Sequence, residues 1–197
     1  MCRRRRSDSG QAFPIYLTVV AGLLFLALAY LAIGQASVNR SGAQTAADAA
    51  ALAAAQDQRD QLTGKWLENL KDPAKWQDIF AGKADLTSSC WRADELAAQN
   101  DGQVQRCDES QPLKVTVDVR TNKPVGDSVV PGVKDIRSTE SATAVVELRC
   151  KVNPPDLETG DSPLPRLTCD GKVWNPDPGR PEELPQPQDL FDVHLAD

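Results

Sequence analysis

The stretch that decides the fold is Phe13 to Ile33, FPIYLTVVAGLLFLALAYLAI, which carries no charge over its whole length. As a helix rising ~1.5 Å per residue it covers roughly 31 Å, about the hydrocarbon thickness of a bilayer. It is apolar all round. Such a helix needs either a deep core or lipid around it, and the polar remainder of the chain offers no such core. Pro14 falls in the first turn, where its missing N–H costs little. Tyr16 and Tyr30 lie near the two ends, where interfacial aromatics are expected. A secretory h-region is shorter, about 7–15 residues. The reading is a transmembrane helix over residues 13–33.

Upstream lies MCRRRRSDSGQA, a basic segment over residues 1–12. Arg3, Arg4, Arg5 and Arg6 precede the span, whereas Arg40 is the single basic residue close behind it. The positive-inside rule therefore keeps the arginines in the cytoplasm and sends the chain from about residue 34 outside. A small-x-small cleavage site can be read at IGQA, ending at Ala36. Gly10 ends a short basic leader of the kind prepilin peptidase cuts. Five residues past Gly10, however, stands Ile15, where prepilins carry Glu. A retained anchor is expected.

Downstream, AQTAADAAALAAA (Ala43 to Ala55) holds nine alanines in thirteen residues. Alanine is the best helix former, so the membrane helix is expected to run on, making residues 34–62 an Ala-rich extracytoplasmic helix. Asn39, Ser41 and Gly42 are positioned to loosen it at the membrane surface. Ala43, Ala47, Ala50 and Ala54 share one face, and small residues on a face let another helix approach closely. The alternative is a helix that covers its own domain. Gly64-Lys65 should break the pattern. Two short amphipathic helices are then expected around Asp72-Pro73, with Trp66, Leu67, Leu70, Trp76, Ile79 and Phe80 as apolar contacts.

Beyond this the period changes to two. LKVTVDVRT sets Val115, Val117 and Val119 on one face, and SATAVVELRCK does the same with Ala144, Val146, Leu148 and Cys150. NKPVGDSVVPGVKD between them reads as a loop. RLTCDGKVW folds back at Asp170-Gly171, a hairpin turn, and LFDVHL alternates as a candidate edge strand. The organisation is a small α+β domain over residues 63–152 with an antiparallel sheet. A Pro-rich segment, residues 153–197, follows with the hairpin and the edge strand; it holds nine of the 14 prolines.

Cys2 falls on the cytoplasmic side. The four remaining cysteines fall outside, where an even number in an oxidising compartment points to disulfides. Three connectivities are open, and proximity favours Cys90–Cys107 and Cys150–Cys169. A metal site is not expected, since no CxxC pair occurs. Nor is catalysis: the single histidine, His194, sits on the tail strand, and phosphate-loop, HExxH and GxSxG motifs are missing. No cofactor or small-molecule substrate is indicated. After residue 34 there are 18 basic and 27 acidic residues, with no basic patch interleaved with aromatics, so no nucleic-acid partner is expected.

RRRRSDSGQAFPIYLTVVAGLLFLALAYLAIGQA and GAQTAADAAALAAAQ together resemble the TadE/TadG-like proteins of tight-adherence (Flp-type) pilus assembly, in the short form found in actinobacteria. VDVRTNKPVGDSVVPG and SATAVVELRC add a looser likeness. The resemblance implies a pilin-like envelope protein that is structural rather than enzymatic. Its implied partners are the lipid bilayer and other pilus-assembly or envelope membrane proteins. The alternative is a membrane-tethered extracytoplasmic binding module unrelated to pili.

Overall fold

The computed structural model describes residues 12–124, 135–153 and 164–196. One helix dominates it. α1 (Ala12–Glu68) is continuous over 57 residues, about 86 Å at the standard rise. It passes through Asn39, Ser41 and Gly42 without a break, and also through Gly64-Lys65, where the pattern was expected to end. Gly64 contributes only a hydrogen at Cα, and Gln61, Leu62 and Lys65 around it are good helix formers. The stop comes at Asn69, whose side-chain amide donates to the Lys65 carbonyl at 2.9 Å. Pro73 then opens a 3-10 turn that leads into α2 (Trp76–Phe80). Of the two amphipathic helices expected here, the first is thus the end of α1.

α3 (Cys90–Gln99) runs back beside α1. It leads into β1 (Gly102–Asp108), β2 (Lys114–Thr121) and β3 (Thr139–Leu148). At Arg149 the chain changes sheet. β4 (Cys150–Asn153) pairs with β5 (Arg166–Cys169), and β5 turns at Asp170-Gly171 into β6 (Lys172–Trp174). A 3-10 turn at Pro181–Glu183 and the short α4 (Pro187–Leu190) return the chain to the first sheet. There β7 (Phe191–Leu195) pairs with β3. The result is a four-stranded antiparallel sheet in the order β1-β2-β3-β7 and a three-stranded sheet in the order β4-β5-β6. Arg149 holds the fork. Its N–H donates to the Leu190 carbonyl at 2.9 Å, and its Nη2 lies 2.6 Å from Asp170 Oδ2 in the hairpin turn.

The core is the space between the sheet and the second half of α1. Val115, Val117 and Val119 from β2 and Ala142, Ala144 and Val146 from β3 are buried against it. A fully buried valine of this kind is worth about 1.5–3 kcal/mol relative to exposure. At the far end, Trp66, Trp76, Phe80 and Phe191 meet edge to face or stacked, with ring centroids 5.6–6.4 Å apart. The indole N–H of Trp76 donates to the Asn69 carbonyl at 3.1 Å, which ties this cluster to the end of α1. The loop expected over residues 122–135 lies mostly outside the described residues.

Candidate functional site: the projecting helix and its junction

Among the described residues, the first part of α1 is not buried against any other element of the fold. Phe13–Leu31 is apolar, long enough to cross a membrane, and nowhere buried. Its backbone satisfies itself within the helix, as hydrocarbon surroundings require. The Thr18 hydroxyl does likewise, donating to the Ile15 carbonyl at 2.8 Å. Tyr16 and Tyr30 stand exposed near the two ends.

Where α1 enters the domain it is fastened by Asn39. Its Oδ1 accepts the Ser138 N–H at 3.2 Å and the Thr121 hydroxyl at 3.3 Å, while its Nδ2 donates to the Lys123 carbonyl at 3.1 Å. At the next residue, Arg40 Nε donates to Glu140 Oε1 at 2.8 Å. These bonds join the helix to the end of β2 and the start of β3. Asn39 therefore does not loosen the helix, as its residue type suggested. It bolts the sheet to it.

Ala43, Ala47, Ala50 and Ala54 do face one way, and each is completely buried within the chain itself. Ala46, Ala51, Ala53 and Ala55 are buried too, so the packed arc is wider than one stripe. The sheet and α3 take up this arc, because small side chains let both approach the helix axis closely. The alanines are thus core residues of this domain and leave no open face for another protein's helix.

Both expected disulfides are present, Cys90–Cys107 and Cys150–Cys169. The first ties the start of α3 to β1. The second joins residues that stand directly opposite in the β4–β5 register. Glu109, which neighbours the first bridge, accepts the Ser89 N–H at 2.9 Å and the Ser88 hydroxyl at 2.7 Å. It completes the N-terminal end of α3, whose first N–H groups have no partner within the helix. Cys90, Cys107 and Glu109 come close enough to suggest a metal group, but both sulfurs are consumed by the disulfide.

On the sheet face turned from α1, Arg106 Nε donates to Asp118 Oδ2 at 2.8 Å. A hydrogen bond from Ser141, and then that guanidinium, hold the Asp118 carboxyl below its ordinary value. His194 is exposed on β7, with Nδ1 3.2 Å from Asp192 Oδ2. Arg3 to Arg6 and Cys2 lie outside the described residues.

A long helix that bares an apolar stretch at one end and carries a disulfide-braced α+β domain at the other defines a class: a small α+β domain on a long helix whose Phe13–Leu31 stretch is a candidate membrane span. Residues 10–57 match the model of a family described as putative Flp pilus-assembly TadE/G-like. This is the family that the anchor and alanine-rich motifs resemble, and the match covers the projecting helix, the Asn39 junction and the buried alanines. No curated protein and no solved structure matches the chain significantly.

Proposed function

We propose that this chain is a single-pass structural component of Flp-type pilus assembly. Arg3 to Arg6 stay in the cytoplasm and the α+β domain stands outside. The observation that carries the reading is the family match over residues 10–57, which coincides with the exposed apolar helix. The orientation is supported by the arginine cluster. Each arginine would cost ~2.5–3.5 kcal/mol at the membrane centre. The partners are other envelope membrane proteins, and they meet the lipid-facing surface of the span, since the alanine arc is occupied.

A reporter fused after Asp197 tests the orientation, and it should be active only outside the cytoplasm. Intact mass should show a chain starting at residue 1 or 2, and a start at Gln11 or Ser37 would overturn the retained anchor. Deleting the gene should reduce surface piliation, and restoring the full chain should bring it back. Replacing the span with an unrelated transmembrane helix should keep the domain outside yet fail to restore pili. Full restoration by that chimera would remove the assembly role from the helix.

A further inference from the structure

Between α2 and α3 the chain forms neither helix nor strand over residues 81–89. This segment, α1 and the β1–β2 turn enclose an open hollow of about 410 Å³. Gln58 of α1, Asp85, Thr87 and Ser88 of the segment, and Glu109 and Ser110 of the turn stand in its wall. Two of them carry carboxylates, and the wall holds no basic side chain. Gln58 is only 7% exposed, so the core around it holds its amide in place. Its Oε1 is buried and has no hydrogen-bond partner. Buried polar atoms nearly always have one, and an orphan marks a place where a water or an ion belongs.

The neighbouring oxygens are fixed from behind. Glu109 accepts the Ser89 N–H through Oε1 and the Ser88 hydroxyl through Oε2, which leaves each oxygen a further lone pair. Thr87 donates both its N–H, at 2.8 Å, and its hydroxyl, at 2.9 Å, to Gln61 Oε1. The hydroxyl hydrogens of Thr87 and Ser88 are thus spent inside the protein. What these groups still offer a ligand is acceptor oxygen and negative charge, and the exposed Asp85 carboxylate adds to both.

We propose that this hollow is a calcium site. The Gln58 amide oxygen and the Glu109 and Asp85 carboxylates are its protein ligands, and water completes the shell. Calcium takes about 6–8 oxygens from carboxylates, amide carbonyls and water in flexible geometry, whereas magnesium demands a near-ideal octahedron and gives up water reluctantly. The wall offers neither histidine nor a free thiol, which sets zinc aside. Bound there, the ion joins α1 to the segment 81–89 and to the β1–β2 turn, beside the Cys90–Cys107 bridge. Two carboxylates and one amide are a modest ligand set, which points to a Kd of about 10⁻⁴–10⁻³ M, the range of extracellular modules. The site does not rest on the pilus reading or on the orientation of the chain.

The test is calorimetric titration of the full chain in detergent micelles with calcium chloride, with thermal melts on the same samples. Calcium should bind once per chain and raise the Tm, and magnesium chloride should bind about tenfold more weakly or less. Gln58→Leu should abolish binding. It also removes an orphaned acceptor, so without calcium this variant should melt at or above the native temperature. Asp85→Asn changes an exposed residue and should weaken binding about tenfold. Glu182→Gln, an exposed acid outside the hollow, should leave binding unchanged. No calcium binding up to about 10 mM overturns the proposal and leaves the hollow to water. Binding that survives both Gln58→Leu and Asp85→Asn overturns it too, as does a rise in Tm that sodium chloride of matched ionic strength reproduces.

Discussion

Ala46 on α1 and Gly102 at the start of β1 sit so close that the helix and the sheet leave no room for one more carbon between them. A Cβ at position 102 would lie 3.0 Å from Ala46 Cβ and 2.6 Å from Val119 Cγ1. Real Cβ contacts are not made at the second distance. Helix, β1 and β2 therefore converge on one point where only glycine opposite alanine fits.

Gly102→Ala should destabilise the domain by about 1–3 kcal/mol through overpacking. Gly64→Ala is the matched control. It lies inside α1 with nothing within 4 Å of an added methyl, so it should stabilise by about 0.5–1 kcal/mol through helix propensity. Denaturant unfolding of the two variants should move in opposite directions. Equal midpoints would mean that the close approach is not tight.

Ala47→Leu and Ala50→Leu place extra volume under the chain's own sheet, where both alanines are fully buried. Each should cost about 1–3 kcal/mol, and any loss of association with other envelope proteins should follow the loss of folded domain. Thermal melts and co-purification on the same samples check this. Normal stability with lost association would return the alanine face to a role in assembly.

Much of this architecture was legible because its periods are strong. The charge-free run, the alternating valines of β2, the Asp170-Gly171 turn and the alternation of Phe191, Val193 and Leu195 each identify an element by themselves. α3 and β1 were not legible. α3 buries only Ala93 and Ala97 completely, and alanine does not announce which face is inside. β1 holds a single valine, and a register shift between Val104 and Arg106 interrupts its alternation. The alanine spacing on α1 was readable, but spacing names a face and not what covers it. The role of Asn39 was hidden for a different reason. Its partners stand 82, 84 and 99 residues away, so only the folded topology brings them together.

The disulfides should hold independently of each other. Cys90–Cys107 and Cys150–Cys169 span 17 and 19 residues, and loops of that size are worth about 3 kcal/mol each in the chain-entropy picture. Non-reducing peptide mapping should recover these two pairs, and replacing either pair by alanines should lower the unfolding midpoint without disturbing the other bridge. Crossed pairs or four free thiols would contradict the fold.

Acid should weaken the sheet face that carries Asp118. Its carboxyl is held below the ordinary aspartate value of 3.8 by Ser141 first and Arg106 second. A group with a depressed folded-state value gives stability that is complete above the unfolded value and is lost as pH falls through the folded one. Part of the domain's stability should therefore disappear below about pH 4. Asp118→Asn should make the loss between pH 4 and pH 2 shallower in denaturant unfolding. Parallel pH curves for the two proteins would show that the carboxylate contributes nothing to folding.

Asn39→Ala tests the bolt between helix and sheet. The substitution improves helix propensity, so α1 itself should not suffer. It leaves the Ser138 N–H, the Thr121 hydroxyl and the Lys123 carbonyl without their common partner. Stranding partly buried groups of this kind costs about 1–3 kcal/mol, less where water reaches them. Hydrogen exchange should therefore speed up at Ser138 and Thr121, at the lower end of β2 and β3. Amides at Val146 and Leu148, at the far end of the same sheet, should keep their protection. Asn39→Asp keeps the oxygen that accepts from Ser138 and Thr121 but sets a carboxylate oxygen against the Lys123 carbonyl where the donor stood, so it should not restore native protection at that end of the sheet. Uniform exchange across the sheet in Asn39→Ala would mean that the domain opens as one unit and that Asn39 is not a local fastening.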